Sequence, residues 1–337
     1  MSVEMVARPH VQNFIDWARD KPEVVVLAAD LTNSSEVGRW RDTYPDRFFS
    51  MGMAEQNMLS FAGGLAREGY TPFVHTFAVF IYRRAYDQLA MSIAYPNLRV
   101  RLIGFLPGIT TPGGVTHQAI EDIAIMRATP NMTVLETSDA TEVESVLDVA
   151  QAVDGPVYVR MIRGLVPRLF PRTEPMRLDR VRVLSDGGDV TLVSAGIETE
   201  EAIKATRALA SQGIGVRHIH VSTHKPFNDP EILESLARAR HGVVTIENHS
   251  IVGGLGSAVA ERMAEAGLGV RLVRLGLRDT YAHGASKAYL QHEYGLDALS
   301  IVRAVETLTG ATTGIEAGDI EHRVLEAVGP VERSDSL

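Results

Sequence analysis

The chain has 337 residues, of which 45% are hydrophobic and 22% charged, and carries a net charge of −9 from 33 basic and 42 acidic side chains. That length allows two domains of ordinary size, and the acidic balance argues against nucleic-acid or anionic-membrane partners. With no cysteines, no apolar run of about 18 residues and no secretory leader pattern, disulfides, thiolate metal sites and a membrane span are excluded and a cytoplasmic location is expected.

Residues 11–18 are a predicted amphipathic helix, with Val11, Phe14, Ile15 and Ala18 on one face. The continuous apolar run 24–29 suits a parallel strand buried on both sides. It leads into Asp30-Leu31-Thr32-Asn33-Ser34-Ser35, a polar loop at a strand's carboxyl end, where α/β sheets bind ligands. A plain turn with a capping Asp or Ser is the alternative. After the short apolar run 48–50, Met51-Gly52-Met53-Ala54-Glu55-Gln56-Asn57-Met58 opens a helix with small residues at Ala62, Gly63, Gly64 and Ala66. Such residues weaken a helix, so something packs close against it. Glu55 falls in the first turn, where the helix dipole favours negative charge and apolar surroundings oppose it. Helix capping alone is one reading of that residue.

Residues 72–74 are a short strand. The following segment places Phe77 and Phe80 at helical spacing, a pattern that more often marks a core face than a ligand contact. A strand over 98–103 exits into a Gly, Pro and Thr-rich loop that runs to His117 and Gln118. Loops of this length inside a compact domain are usually functional, although His117 could simply cap a helix beginning near Gln118. Residues 133–135 are a strand, Asp139 a plausible N-cap, and 156–160 another strand ending near Arg163. Guanidinium at that place suits a bidentate phosphate contact.

Residues 1–169 are expected to form the first domain, 170–185 a linker without periodicity, 186–328 the second domain and 329–337 a frayed tail. In the second domain strands at 190–194, 216–220, 242–247 and 270–275 alternate with helices at about 199–212, 230–239 and 255–266. The fold class is α/β, with two doubly wound domains and mainly parallel sheets. Glu247 and His249 are read as structural rather than as an acid/base pair.

Gly52-Met53-Ala54-Glu55-Gln56-Asn57-Met58 resembles the pyrimidine-binding segment of transketolases and their thiamine diphosphate-dependent relatives. Ala29-Asp30-Leu31-Thr32 with Ser34, Thr76-Phe77 with Phe80, Thr116-His117-Gln118, Thr129-Pro130-Asn131-Met132 and Arg163 with Pro167 also match that family, and residues 247–256 resemble its third domain. The resemblance implies that Glu55 bonds the ring nitrogen of the cofactor's aminopyrimidine, that Phe77 and Phe80 stack on it, Phe80 the more closely, and that Asp30 lines its site. It further implies that His117 meets substrate and that Arg8, Ser34 and Arg163 hold a sugar phosphate, Arg8 on the loosest alignment.

Two departures bear on substrate. The family commonly has an acidic residue four positions before this His, where the chain has Gly113, and a second substrate His near Phe105 is absent. A site stripped of a polar partner loses discrimination at the hydroxyl it reads, so a branched or otherwise altered ketose phosphate is a live candidate. The resemblance covers only the pyrimidine-binding and third domains. Asp186-Gly187-Gly188-Asp189 lacks an Asn at the spacing of the family's diphosphate motif. Thiamine diphosphate would therefore be shared with a partner subunit that supplies the diphosphate domain and the Mg2+ ligands, in a heterotetramer of two of each, with sugar phosphates as substrates. A β subunit of a 2-oxo-acid dehydrogenase and a non-catalytic assembly subunit are the alternative readings.

Overall fold

The computed structural model describes residues 3–320; the expected tail at 329–337 lies outside them. A short antiparallel pair joins β1 (Met5–Ala7) to a strand that follows the first sheet. The first sheet begins with β2 (Val24–Ala28), whose Val-Val-Val-Leu-Ala run is buried throughout. Next come β3 (Phe48–Ser50), β4 (Thr71–Phe77), β5 (Arg101–Phe105), β6 (Thr133–Glu136) and β7 (Val157–Met161). All six pair in parallel in the order β6, β7, β5, β4, β2, β3. Helices cover both faces, which is why β2, β4, β5, β6 and β7 are buried at every position, while β3 at the edge is partly exposed. β8 (Leu165–Pro167) is the partner of β1.

The second sheet holds β9 (Arg182–Ser185), β10 (Val190–Ala195), β11 (Val216–Val221), β13 (Gly242–Ser250) and β14 (Leu272–Leu277), in the order β14, β13, β10, β11, β9. β9 runs antiparallel to β11 within the stretch expected to be a linker, and the other pairings are parallel. The remaining strand, β12 (Thr223–Lys225), leaves its own unit and pairs antiparallel with β6, forming the outer edge of the first sheet.

Between the units Arg160 is fully buried. It donates to Asp122 Oδ2 at 2.9 Å, Glu136 Oε1 at 2.7 Å and the carbonyls of Ala119 and Asn248 at 2.8 Å. Burial opposes the charge on Glu136, but Arg160 and His224 hold its carboxyl down to about 2. Removing one member of such a buried set strands the others, so it acts as a clamp.

Several expected boundaries shift. No helix starts at Gln118; a 3-10 turn spans Gly114–Thr116 and the helix begins at Asp122. The strand expected from residue 98 begins at Arg101, because Leu98 N–H is spent on the carbonyl of Ile93. Helices Lys287–Glu293 and Ala298–Thr309 were not anticipated. Among the described residues no helix is long and apolar enough to cross a membrane.

Candidate active site

The carboxyl ends of β2, β3, β4, β5 and β7 face one region, and the candidate residues follow them in sequence. Glu55 is the first residue of the helix Glu55–Arg67 and is 3% exposed. Its helix is seated by Gly63. A Cβ there would lie 2.5 Å from the carbonyl oxygen of Ser92, so only glycine lets residues 89–94 pack so closely.

The Glu55 carboxylate accepts a 2.9 Å bond from Arg84. The Arg84 guanidinium lies 3.9 Å from the centroid of the Phe80 ring. The space between a buried carboxylate and an aromatic face is thus filled by a flat group that donates hydrogen bonds. Phe77, the last residue of β4, is fully buried and stacks on the partly exposed Phe80 at 5.9 Å. His117 sets its edge against both rings, at 6.1 and 5.5 Å. Its Nδ1 pairs with Thr116 Oγ1 at 2.7 Å. Gly113 lies against His117, where a Cβ would be 3.2 Å from the His117 side chain.

Arg163 continues the cluster. It lies 5.7 Å from the Phe77 ring and donates to the backbone carbonyl of Ser34 at 2.8 Å, so the contact to that residue runs through the main chain. Burial and the like charge of Arg8 lower the Arg163 pKa, with Glu36 opposing. Arg8 and Arg163 share a cavity of about 520 Å3 with Glu36 and with Lys287 of the second unit. Asp30 stands exposed just past the end of β2.

The structure therefore brings together Glu55, Phe80, Phe77, His117, Arg163 and the Ser34 backbone, with Arg8 across the cavity. Arg84 and Glu36 were not singled out in the sequence. For Arg84 a signal existed, since it follows Phe80 by four residues, the spacing that joins side chains on one helical face. Glu36 carried none. Glu247 accepts the N–H groups of Leu255 and Gly256 at 2.7 and 2.9 Å, capping the helix Leu255–Glu265. His249 Nδ1 bonds the Ser250 carbonyl at 2.7 Å. Both are buried and carry structural bonds.

Comparison with known proteins identifies the two domains. Residues 11–168 match the transketolase pyrimidine-binding domain, and residues 179–301 match the transketolase C-terminal domain. The chain is 40% identical over 301 residues to a 6-deoxy-6-sulfo-D-fructose transketolase subunit SqwH of Clostridium sp. (strain MSTE9), covering 89% of this chain and 93% of that one. It is 36% identical over 297 residues to a putative transketolase C-terminal section of Methanocaldococcus jannaschii, covering 87% and 93%. Among solved structures, one described as a split gene transketolase, inactive beta4 tetramer, superposes with a TM-score of 0.81 at 38% identity, covering 90% of this chain and 97% of that one. The chain belongs to the transketolase family, with the pyrimidine-binding and C-terminal domains found in its split subunits.

Proposed function

We propose that this chain forms the pyrimidine side of a thiamine diphosphate site and transfers a two-carbon ketol unit between anionic sugars, with sugar phosphates the class its family implies. The observation that carries the reading is the buried Glu55 carboxylate beside the Phe80 face, occupied by a flat donor. An aminopyrimidine has that shape and that hydrogen-bonding chemistry, so the residues fit the group. Glu55 would hold its ring nitrogen, Phe80 and Phe77 its face, and Asp30 the margin of its site. Bound thiamine diphosphate supplies a carbon nucleophile and electron sink, which no side chain can provide.

The remaining residues bear on substrate. His117, wedged against both phenylalanines, is positioned to meet a donor hydroxyl. Arg163, Arg8 and the Ser34 segment would hold the anionic end. Gly113 in place of an acidic residue supports an altered donor. The diphosphate half and its Mg2+ would come from a partner subunit, two of each. The solved relative described as an inactive β tetramer accords with a chain that needs such a partner.

The test is reconstitution. The chain, a partner carrying the diphosphate motif, thiamine diphosphate, Mg2+ and a panel of ketoses, 6-deoxy-6-sulfo-D-fructose included, should yield ketol transfer. Glu55→Gln should lower kcat by about 10²-fold or more with the complex still assembled. No transfer from any ketose in an assembled complex, or an unimpaired Glu55→Gln variant, overturns the reading.

A further inference from the structure

The cavity that holds Arg8 and Arg163 also holds a carboxylate. Glu36 lines it and is 6% exposed. Its Oε1 accepts the Gly164 N–H at 3.0 Å, while Oε2 is buried without a partner. Its backbone stands at φ 57, a region that non-glycine residues seldom adopt and that recurs at functional sites. A side chain held this way, deep in a pocket built for anions, is not a surface charge. Two side chains from the second unit, Lys287 and Glu200, complete the charge set. Glu200 is already paired with Lys204 at 3.2 Å, so where Arg8 and Arg163 converge the opposing charge is Glu36 alone, leaving one positive charge to be met there.

We propose that Glu36 sets the charge class of the substrate: it offsets one guanidinium, so that the subsite takes a sugar whose far end carries a single negative charge, a sulfonate or carboxylate, in preference to a phosphate dianion. This inference rests on the ketol-transfer reading above and refines the anionic end of that substrate. A dianion placed between Arg8 and Arg163 meets the Glu36 carboxylate at close quarters, where low exposure leaves little screening. A sulfonate is charge-matched there. Its three oxygens can take the Arg8 and Arg163 donors. Burial raises the Glu36 pKa from its ordinary value, with the Gly164 N–H, Arg163 and Arg8 opposing. Discrimination against phosphate therefore strengthens as pH rises, since both Glu36 and the phosphate monoester, whose second pKa is about 6, lose protons in that direction.

The decisive experiment compares two donors that differ only at the terminal group, 6-deoxy-6-sulfo-D-fructose and D-fructose 6-phosphate, with the assembled complex and an uncharged acceptor, glycolaldehyde. The wild type should favour the sulfonate in kcat/KM by about tenfold at pH 8, a preference that shrinks toward pH 5.5. Glu36→Gln should cut the preference at least fivefold, mainly through a lower KM for the phosphate donor, and flatten its pH dependence. A wild type that prefers the phosphate, or an unchanged ratio in Glu36→Gln, overturns the proposal while leaving ketol transfer intact. If no donor turns over, the ketol-transfer reading fails on its own, and a binding arm still decides the charge class. Thermal protection of the complex by 2,3-dihydroxypropane-1-sulfonate should exceed that by glycerol 3-phosphate, and Glu36→Gln should reverse or erase the difference; equal or opposite protection in the wild type sinks it.

Discussion

Arg84 bonds the Glu55 carboxylate at 2.9 Å and, with the same guanidinium, covers the face of Phe80 at 3.9 Å. One planar cation thus makes both contacts expected of an incoming aminopyrimidine. It is about half exposed, so it can swing out, but its contacts must be given up first. A cation–π contact and a partly exposed ion pair are together worth about 1 kcal/mol. Arg84→Ala is therefore expected to tighten thiamine diphosphate binding to the assembled complex by about 3- to 10-fold, measured by titration calorimetry. Unchanged or weaker binding would mean that Arg84 does not stand in the cofactor's place.

The helix that carries Glu55 offers a paired test of close packing. At Gly63 a methyl group would meet the Ser92 carbonyl oxygen at 2.5 Å, whereas at neighbouring Gly64 it would meet nothing within 4 Å. Gly63→Ala should destabilise the isolated chain by about 1–3 kcal/mol. Gly64→Ala should stabilise it by roughly 0.5–1 kcal/mol, through the helix propensity gained. Denaturant unfolding of the two variants should move in opposite directions.

Gly113 lies against His117, and a methyl group on its Cα would come within 3.2 Å of that side chain. An acidic side chain there would press on the imidazole and present a new acceptor to the donor hydroxyls. Gly113→Asp is expected to change the ratio of kcat/KM between two ketoses epimeric at one hydroxyl by about tenfold, equivalent to about 1.4 kcal/mol. Parallel losses on both epimers would indicate simple disruption instead.

Glu198 supplies a pH signature. It is fully buried; Oε2 accepts the Gln291 amide at 2.8 Å and Oε1 has no partner. Burial, with Glu201 adding and Gln291 opposing, raises its carboxyl from the ordinary 4.5 to about 8. Between those values the folded chain keeps a proton that the unfolded chain has released, so this residue's contribution to stability falls as pH rises, by roughly 1 kcal/mol per pH unit. Glu198→Gln removes that slope. The Tm of the variant relative to the wild type should climb from pH 5 to pH 8; parallel curves would refute the assignment.

Much of this site is legible in the linear chain because each residue ends a strand or lies in the segment that leaves one. Phe77 ends β4, while Glu55, His117 and Arg163 lie in the segments after β3, β5 and β7, and parallel pairing carries those ends to one side. Local pattern gave the strands, since their buried runs are continuous. The features it missed depend on distant partners. The three residues of β12 are too few to carry a period, and their pairing with β6 is set by tertiary contacts. Helix Lys287–Glu293 spans barely two turns after an irregular stretch. Glu36 lies in a loop whose left-handed backbone no composition announces, and its role exists only once Arg8 and Arg163 converge on it.

The crossing of β12 into the first sheet has a further consequence. The rim of the N-terminal layer is furnished by sequence that a ribosome emits only after three strands of the other layer, β9, β10 and β11, have been made. A nascent chain cannot finish its first half and set it aside. Until Thr223–Lys225 arrives, β6 presents a bare edge, a template for wrong pairing. A cut between the two layers would leave that edge uncovered, so each half depends on the other for its finished surface.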